Sequence, residues 1–342
     1  VAVSGSEIPL VPLLKALGST DEEISNAWGK DIYAANTGDN YHTAIDKLVA
    51  KFGTKKIREH LGPSAMAEDI IRTAIGASPL DPSVSQRTLG SPIDRLSKDV
   101  ILNATKRAIG VSAGTETPDD REHEAFQHIM GPEDLFAERL MNDHAGIRRT
   151  AAWKAATTGN LHHIPAGILT PQLEHVLTGS GLATHLEDVN PLEAFDRATR
   201  ITPMGEGGLP DTDAIPDEAR DVRPSHHGFA DPSRTVESLR VGVDLNLASA
   251  ARKGKDGRLY SQFIDSRSGK PTWLSAHDLA EKVVGFSHDA PDAIDTPHGR
   301  YVPAIKNNRD DYVKDSEIDV RLPNANRSYS ALTNLIPFLH SS

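Results

Sequence analysis

The chain contains no cysteine, so no disulfide and no thiolate metal site can hold it together or supply its chemistry. Aromatic residues are scarce, 5% against 38% hydrophobic residues in all, so its cores must be aliphatic and modest. No run approaches the ~18 consecutive apolar residues of a membrane span. The opening VAVSGSEIPL has neither the basic start nor the apolar stretch of a secretory signal, and it lacks an initiating Met. A cytoplasmic setting without a membrane partner is therefore expected, as is a chain processed or cut from something longer. A basic excess is missing too. The net charge of −11 is the reverse of what a free-standing nucleic-acid binder carries.

What is present is length and punctuation. At 342 residues the chain can build two or three domains with real cores, and 26 Gly with 22 Pro supply many turns. Residues 1–118 read as mainly helical. Leu10, Leu13, Leu14 and Leu17 repeat at the spacing of a buried helical face, with Pro12 tolerated in the first turn. Gly18 stops that helix, and Thr20 with Glu23 forms a capping box for the next. Further helices are expected over 40–52, 65–76 and 93–109, with Pro- and Ser-rich 77–91 as a linker or long loop. Residues 119–240 should hold helices at 131–142 and 144–157, a turn at Gly159-Asn160 and a short helix at Leu173–Leu177. A Gly/Pro/Asp-rich stretch over 202–235 follows, too long for an ordinary connection. Residues 241–342 read as a β-rich module. Val241–Leu247 alternates at period two as a strand, joined through Lys253–Gly257 to a second strand at Leu259–Ile264. Short strands are expected near Trp273, Val283 and Tyr301. The fold class is α+β with several domains.

The densest chemistry lies between Ser180 and Gly208. Asn190 can bond its own backbone two residues on, and Pro191 fixes φ, so the corner is preset. It also reads as an ordinary capped helix start, with Glu193 three residues on. Arg197 and Arg200 share one helical face. Either can hold a phosphate bidentately or brace a carboxylate such as Glu187 or Asp188. Arg200 is read as the brace and Arg197 as the nucleic-acid contact. Gly205, Gly207 and Gly208 permit a close backbone approach or a positive φ, though Gly-x-Gly-Gly alone also marks a plain turn. The pairs His162-His163 and His226-His227 do not make a metal site by spacing, since neighbouring residues of a strand point to opposite sides.

In order and spacing these residues resemble the β subunit of multisubunit DNA-dependent RNA polymerases. Ser180, Leu182, Asn190-Pro191-Leu192, Arg200 and Gly205–Leu209 follow the family's fork segment. Ile8-Pro9, Leu13–Gly18 and Asp21–Ile24 follow its lobe. Asp119-Asp120 with His123 follows the return to the protrusion, and Leu169–Gln172 precedes the fork at the family's distance. Arg220-Asp221-Val222, Pro224–Gly228, Thr235, Glu237, Gly242 and Asn334–Leu339 continue the series.

The resemblance implies a lobe-like 1–118, a protrusion return and fork over 119–240, and an external-type module over 241–342. It further implies a non-catalytic β-type subunit, or N-terminal β fragment, that lines the DNA and RNA–DNA hybrid channel. Asn190, Arg197, Arg200, Gly207, Gly208, Arg220, Glu237 and Arg240 would be its nucleic-acid-facing residues. Its partners would be a β′-type subunit whose three aspartates hold the catalytic Mg2+, the remaining β segment, other polymerase subunits, the DNA template and the RNA transcript. The chain alone would bind no cofactor and no metal, and would add no nucleotide. It would act in the nucleoid, or in the host cytoplasm if viral.

The departures from the family are equally specific. Asp211 and Asp213 stand where basic residues are usual, Phe229 replaces an arginine, and Phe126-Gln127-His128 stands for Asn-Arg-Arg. The N-terminal part of the protrusion is missing, and the sequence stops before the segment that approaches the substrate triphosphate. A split β subunit of bacteriophage type would account for both. His185, Glu187, Arg197 and Thr202 replace four lining residues of the family's rifamycin pocket. The acidic balance favours an alternative, a stand-alone scaffold protein of the same descent without transcription activity.

Overall fold

The computed structural model describes residues 2–339, apart from 4–5, 8, 39–40, 63, 121, 160–165, 184, 186–188, 206–207, 210 and 288–292. Ile8, His162, His163, Glu187, Asp188 and Gly207 therefore lie outside the described residues. The chain divides into two units, Val1–Asp120 and Arg121–Ser342.

In the first unit a short β1–β2 pair (Ala2–Val3, Ser6–Glu7) precedes α1 (Leu10–Ala16), α2 (Asp21–Trp28), α3 (Lys30–Ala35) and α4 (Tyr41–Phe52). Then come α5 (Lys55–Leu61), α6 (Ala67–Gly76), α7 (Pro82–Leu89) and α8 (Lys98–Ser112). The apolar stripe of α1 is buried as its spacing requires. Leu13 and Leu17 pack with Ile45, Leu48, Ile71 and Ile75, while Leu14 packs with Ile24 and Trp28. The capping box of α2 forms both of its bonds, at 3.2 and 3.1 Å.

Two expectations fail in this unit. The stretch 77–91 is not a linker but contains α7. The Asp81 carboxylate accepts from Ser83 N–H at 2.7 Å and Pro82 occupies the first helical position, so the Pro/Ser signal marks a helix start. The last helix begins at Lys98 rather than 93. Residues before it are held by a bridge between Pro79 and Arg95, and Ser97 provides the cap.

The second unit opens with a 3-10 turn at Glu124–Phe126 and α9 (Pro132–Thr158). Two helices divided at residue 143 were expected here, but one runs through without a break, and the half-buried Gly146 inside it costs only about 1 kcal/mol. Gly159 ends it at φ +68°. After α10 (Thr170–Glu174), a π-helical turn (His175–Gly179) and α11 (Pro191–Ala198), the chain becomes strand and turn.

A three-stranded antiparallel sheet has the order β3 (Arg200–Ile201), β5 (Leu245–Leu247), β4 (Ala230–Thr235). The larger sheet takes β6 (Arg252–Lys253), β7 (Leu259–Asp265), β8 (Pro271–Ser275) and β9 (Val284–Gly285), with α12 (Ala276–Leu279) between β8 and β9. It is completed by β10 (Ile294–Thr296), β11 (Gly299–Lys306), β12 (Arg309–Lys314) and β13 (Val320–Arg321). Its pairings are antiparallel except β13 with β9. Phe229, Phe263, Leu259, Val284, Ile305 and Leu322 form its core, an aliphatic cluster with two phenylalanines 6.0 Å apart.

Val241–Leu247 is not one strand. Residues 241–244 turn, with Val243 N–H bonded to the Arg240 carbonyl at 2.9 Å, and only Leu245–Leu247 pairs. The alternation that suggested a strand instead buries Val243 against Met204 and Ile215. The Lys253–Gly257 turn does make a hairpin, but it joins β6 to β7, while β5 belongs to the other sheet.

Candidate nucleic-acid interface

The centre of this region is a residue the sequence did not single out. Asp196, on the inner face of α11, is buried, and its carboxylate is shared by three donors. Arg200 reaches one oxygen at 3.2 Å, while Arg234 Nε and Asn246 Nδ2 reach the other at 2.8 and 2.9 Å. Asn246 also donates to the Asp196 carbonyl at 3.2 Å. One helix turn, β3, β4 and β5 are thereby fastened through one charge. A buried carboxylate is stable only when its oxygens are this fully used.

Asn190 caps α11, accepting from Leu192 N–H at 3.1 Å, so its side chain serves as a helix cap. Arg197 turns back along its own helix. It donates to Glu193 at 2.8 Å and to the His185 carbonyl at 2.9 Å, and its side chain is one quarter exposed. Arg200 sits on Asp196; Glu187 and Asp188, the acids expected from sequence, lie outside the described residues.

The Gly-x-Gly-Gly segment closes on itself. Leu209 N–H donates to the Pro203 carbonyl at 2.8 Å, and Gly208 N–H to the Gly205 carbonyl at 3.0 Å. A Cβ on Gly208 would stand 2.1 Å from that Pro203 oxygen, so the position excludes every other residue without a backbone shift. Arg220 pins the facing turn. Its guanidinium donates to the carbonyls of Leu239 (2.7 Å), Thr212 (3.2 Å) and Val241 (3.3 Å). Gly242, at φ +71°, lies so close that a Cβ would meet the Arg220 carbonyl oxygen at 2.3 Å.

Between these two turns lies a cleft of about 400 Å³ lined by Met204, Asp211, Thr212, Ser238, Leu239 and Arg240. Arg240 is half exposed and 3.5 Å from the buried Asp244 carboxylate. Glu237 stands exposed on the adjoining turn. The structure thus places Arg240 on the cleft wall, has Arg220 hold the Leu239 and Thr212 carbonyls of that wall, and ties Arg200 and Arg234 to Asp196. The Asp196–Arg200 pair was visible as an i, i+4 spacing. Arg234 and Asn246, 38 and 50 residues from Asp196, left no local signal.

Two further groups have displaced protonation. His227 packs edge-on to Phe286 at 4.5 Å, and burial pushes its imidazole down to about 4. Glu124, whose N–H donates to Ser225 at 3.3 Å, has its carboxyl pushed up to about 7 by burial. His226 Nδ1 accepts from Arg223 N–H at 3.4 Å. Among the described residues, no group of three or more His, Asp or Glu could hold a metal ion, and no helix is long and apolar enough to cross a membrane.

Residues 184–252, which carry the Asp196 network and most of the cleft, match the family RNA polymerase Rpb2, domain 3. Over wider spans the chain is similar to subunits named DNA-directed RNA polymerase subunit beta. It is 31% identical to that of Cuscuta exaltata over 173 residues, 48% of this chain and 16% of the relative. It is 23% identical to that of Rickettsia canadensis over 256 residues, 72% of this chain and 19% of the relative. For Syntrophotalea carbinolica the identity is 25% over 264 residues, 74% of this chain and 19% of the relative. The chain spans less than a fifth of the length of these relatives. It is a divergent relative of the β-type subunits of multisubunit RNA polymerase.

Proposed function

We propose that the chain works as a non-catalytic β-type segment of a DNA-dependent RNA polymerase, with the Asn190–Asp244 region facing the nucleic acid. The observation that carries this reading is the coincidence of the matched span 184–252 with the most heavily braced loops of the second unit. Loops held to close tolerance by buried polar networks are how a rigid scaffold presents backbone and arginines to a ligand. Arg240, half exposed at the rim of the cleft, is the arginine best placed to take a phosphate. Arg197, Arg200 and Arg220 act one step back, holding the shape of the surface.

On this reading the catalytic Mg2+ belongs to a β′-type partner, and the remaining β polypeptide and other subunits complete the enzyme around DNA and RNA. The test is native purification of the tagged chain with mass spectrometry of what accompanies it. Large subunits, one carrying an Asp-rich metal loop, are the expected companions. The net charge of −11 and Asp211 on the cleft wall favour a second reading, a scaffold protein of the same descent. That protein would purify without a β′-type chain.

A further inference from the structure

The 27-residue helix α9 buries a single side chain, Leu135, near its start. The rest of its length makes few demands on the fold, and its composition changes sharply along the axis. The first half mixes Glu133, Asp134, Glu138 and Asp143 with Arg139, which pairs with Asp143 at 3.1 Å. From His144 to Thr158 there is no acidic residue, but there are Arg148, Arg149 and Lys154. Among the described residues these three cations make no ion pair. They stand out in a chain whose net charge is −11.

The helix dipole does not explain them. Its attraction for cations fades within the last turn, and no basic residue lies there. At about 100° per residue, Arg148, Arg149 and Trp153 share a flank about 140° wide, with only Ala145, Ala152 and Ala156 between them. Trp153 is 64% exposed, an unusual position for the largest side chain in an aromatic-poor protein. An open groove of about 510 Å³ lies beside this flank, walled by α9 from Asn142 to Thr150 on one side and by Ile168, Pro171 and Gln172 on the other; its one acid, Asp143, is paired with Arg139.

We infer that the C-terminal half of α9 is a binding surface for single-stranded nucleic acid. Arg148 and Arg149 neutralise successive phosphates, and Trp153 offers its face to a base. The small residues between them let the strand lie close to the helix. Charge complementarity selects the occupant. A cationic strip on an acidic chain attracts a polyanion, and an aromatic face beside it suits an unpaired base more than a carboxylate-rich peptide. The inference deepens the polymerase reading and rests on it, since it places a second nucleic-acid surface on the unit that carries the matched span.

The test uses the full chain and a labelled, unstructured 12-nucleotide RNA, followed by fluorescence anisotropy between 50 and 200 mM salt. Trp153→Ala should weaken binding about tenfold, the worth of one stacked base, without changing the salt slope. Trp153→Phe should restore most of the loss. The double variant Arg148→Ala/Arg149→Ala should lower the slope of log K against log salt by about 1.4, two phosphates at ~0.7 each. All three positions are exposed, so circular dichroism should show an unchanged fold.

Affinity and slope equal to those of the parent in both variants would overturn the inference. So would poly-glutamate binding as tightly as RNA with the same dependence on Trp153. If the variants bind RNA normally but the chain still assembles with its large partner, this surface alone is refuted. If assembly fails while α9 binds as described, the polymerase reading is what falls.

Discussion

Between pH 4 and 7 the second unit should carry two opposed proton linkages that nearly conceal each other. The Glu124 carboxyl is pushed from its ordinary 4.5 up to about 7, so in that window the folded state holds a proton the unfolded chain has released. Stability therefore falls as pH rises from 4.5 to 7. His227 is pushed from 6.5 down to about 4, so between those values the unfolded state binds the extra proton. Its contribution is present above 6.5 and is lost as pH falls toward 4. Each displacement of about 2.5 pH units corresponds to at most about 3 kcal/mol at 1.36 kcal/mol per unit.

Glu124→Gln keeps the shape of the protonated acid and removes its titration. Relative to the parent it should gain up to about 3 kcal/mol at pH 7 and nothing at pH 4.5. His227→Gln carries a packing loss that does not depend on pH. Against that constant it should recover up to about 3 kcal/mol as pH falls from 6.5 to 4. Urea midpoints read by tryptophan fluorescence suffice, since Trp153 and Trp273 both lie in this unit. Stability differences that stay constant from pH 4 to 7 in both variants would refute the assignment of buried, displaced groups.

Three other consequences are accessible. Asp196→Ala strands two guanidinium groups and the Asn246 amide, and should cost about 3 kcal/mol by thermal unfolding; Asp196→Asn should cost less. Gly208→Ala and Gly242→Ala must move backbone, so each should cost about 1–3 kcal/mol, with raised hydrogen exchange in 203–209 and 238–243. An assembled polymerase containing this chain should resist rifamycins. Arg197 is engaged by Glu193 and the His185 carbonyl, and the Thr202 hydroxyl accepts from Met204 N–H, so both side chains are already bonded within the protein. Transcription stopped at ordinary drug concentrations would contradict that.

Local signals carried the reading of this chain where the physics is local. The α1 stripe, the Thr20–Glu23 box, the Gly159 stop and the Asn190-Pro191 corner each depend on residues within one helical turn, and all were legible. The errors came where one pattern serves two structures. Asp81-Pro82-Ser83 punctuates a loop or starts a helix, and α7 shows the second use. Alternation over 241–247 marks a strand, or a turn that buries one of the apolar side chains, here Val243, before a short strand. The Asp196 network was only half visible, because Arg234 and Asn246 reach it through the pairing of β5 with β3 and β4, which no local window contains. The resemblance supplied order and spacing across the chain, but it did not reveal that Arg197 and Arg220 would be bound to the protein itself.

The role proposed for this chain is that of a working piece of a transcription enzyme. It is tested most directly by purifying the tagged chain under native conditions and identifying its companions by mass spectrometry. Stoichiometric large subunits, among them a β′-type chain with an Asp-rich metal loop, and template-dependent RNA synthesis by the assembly are expected. A chain that emerges alone, or with proteins unrelated to transcription, would contradict it.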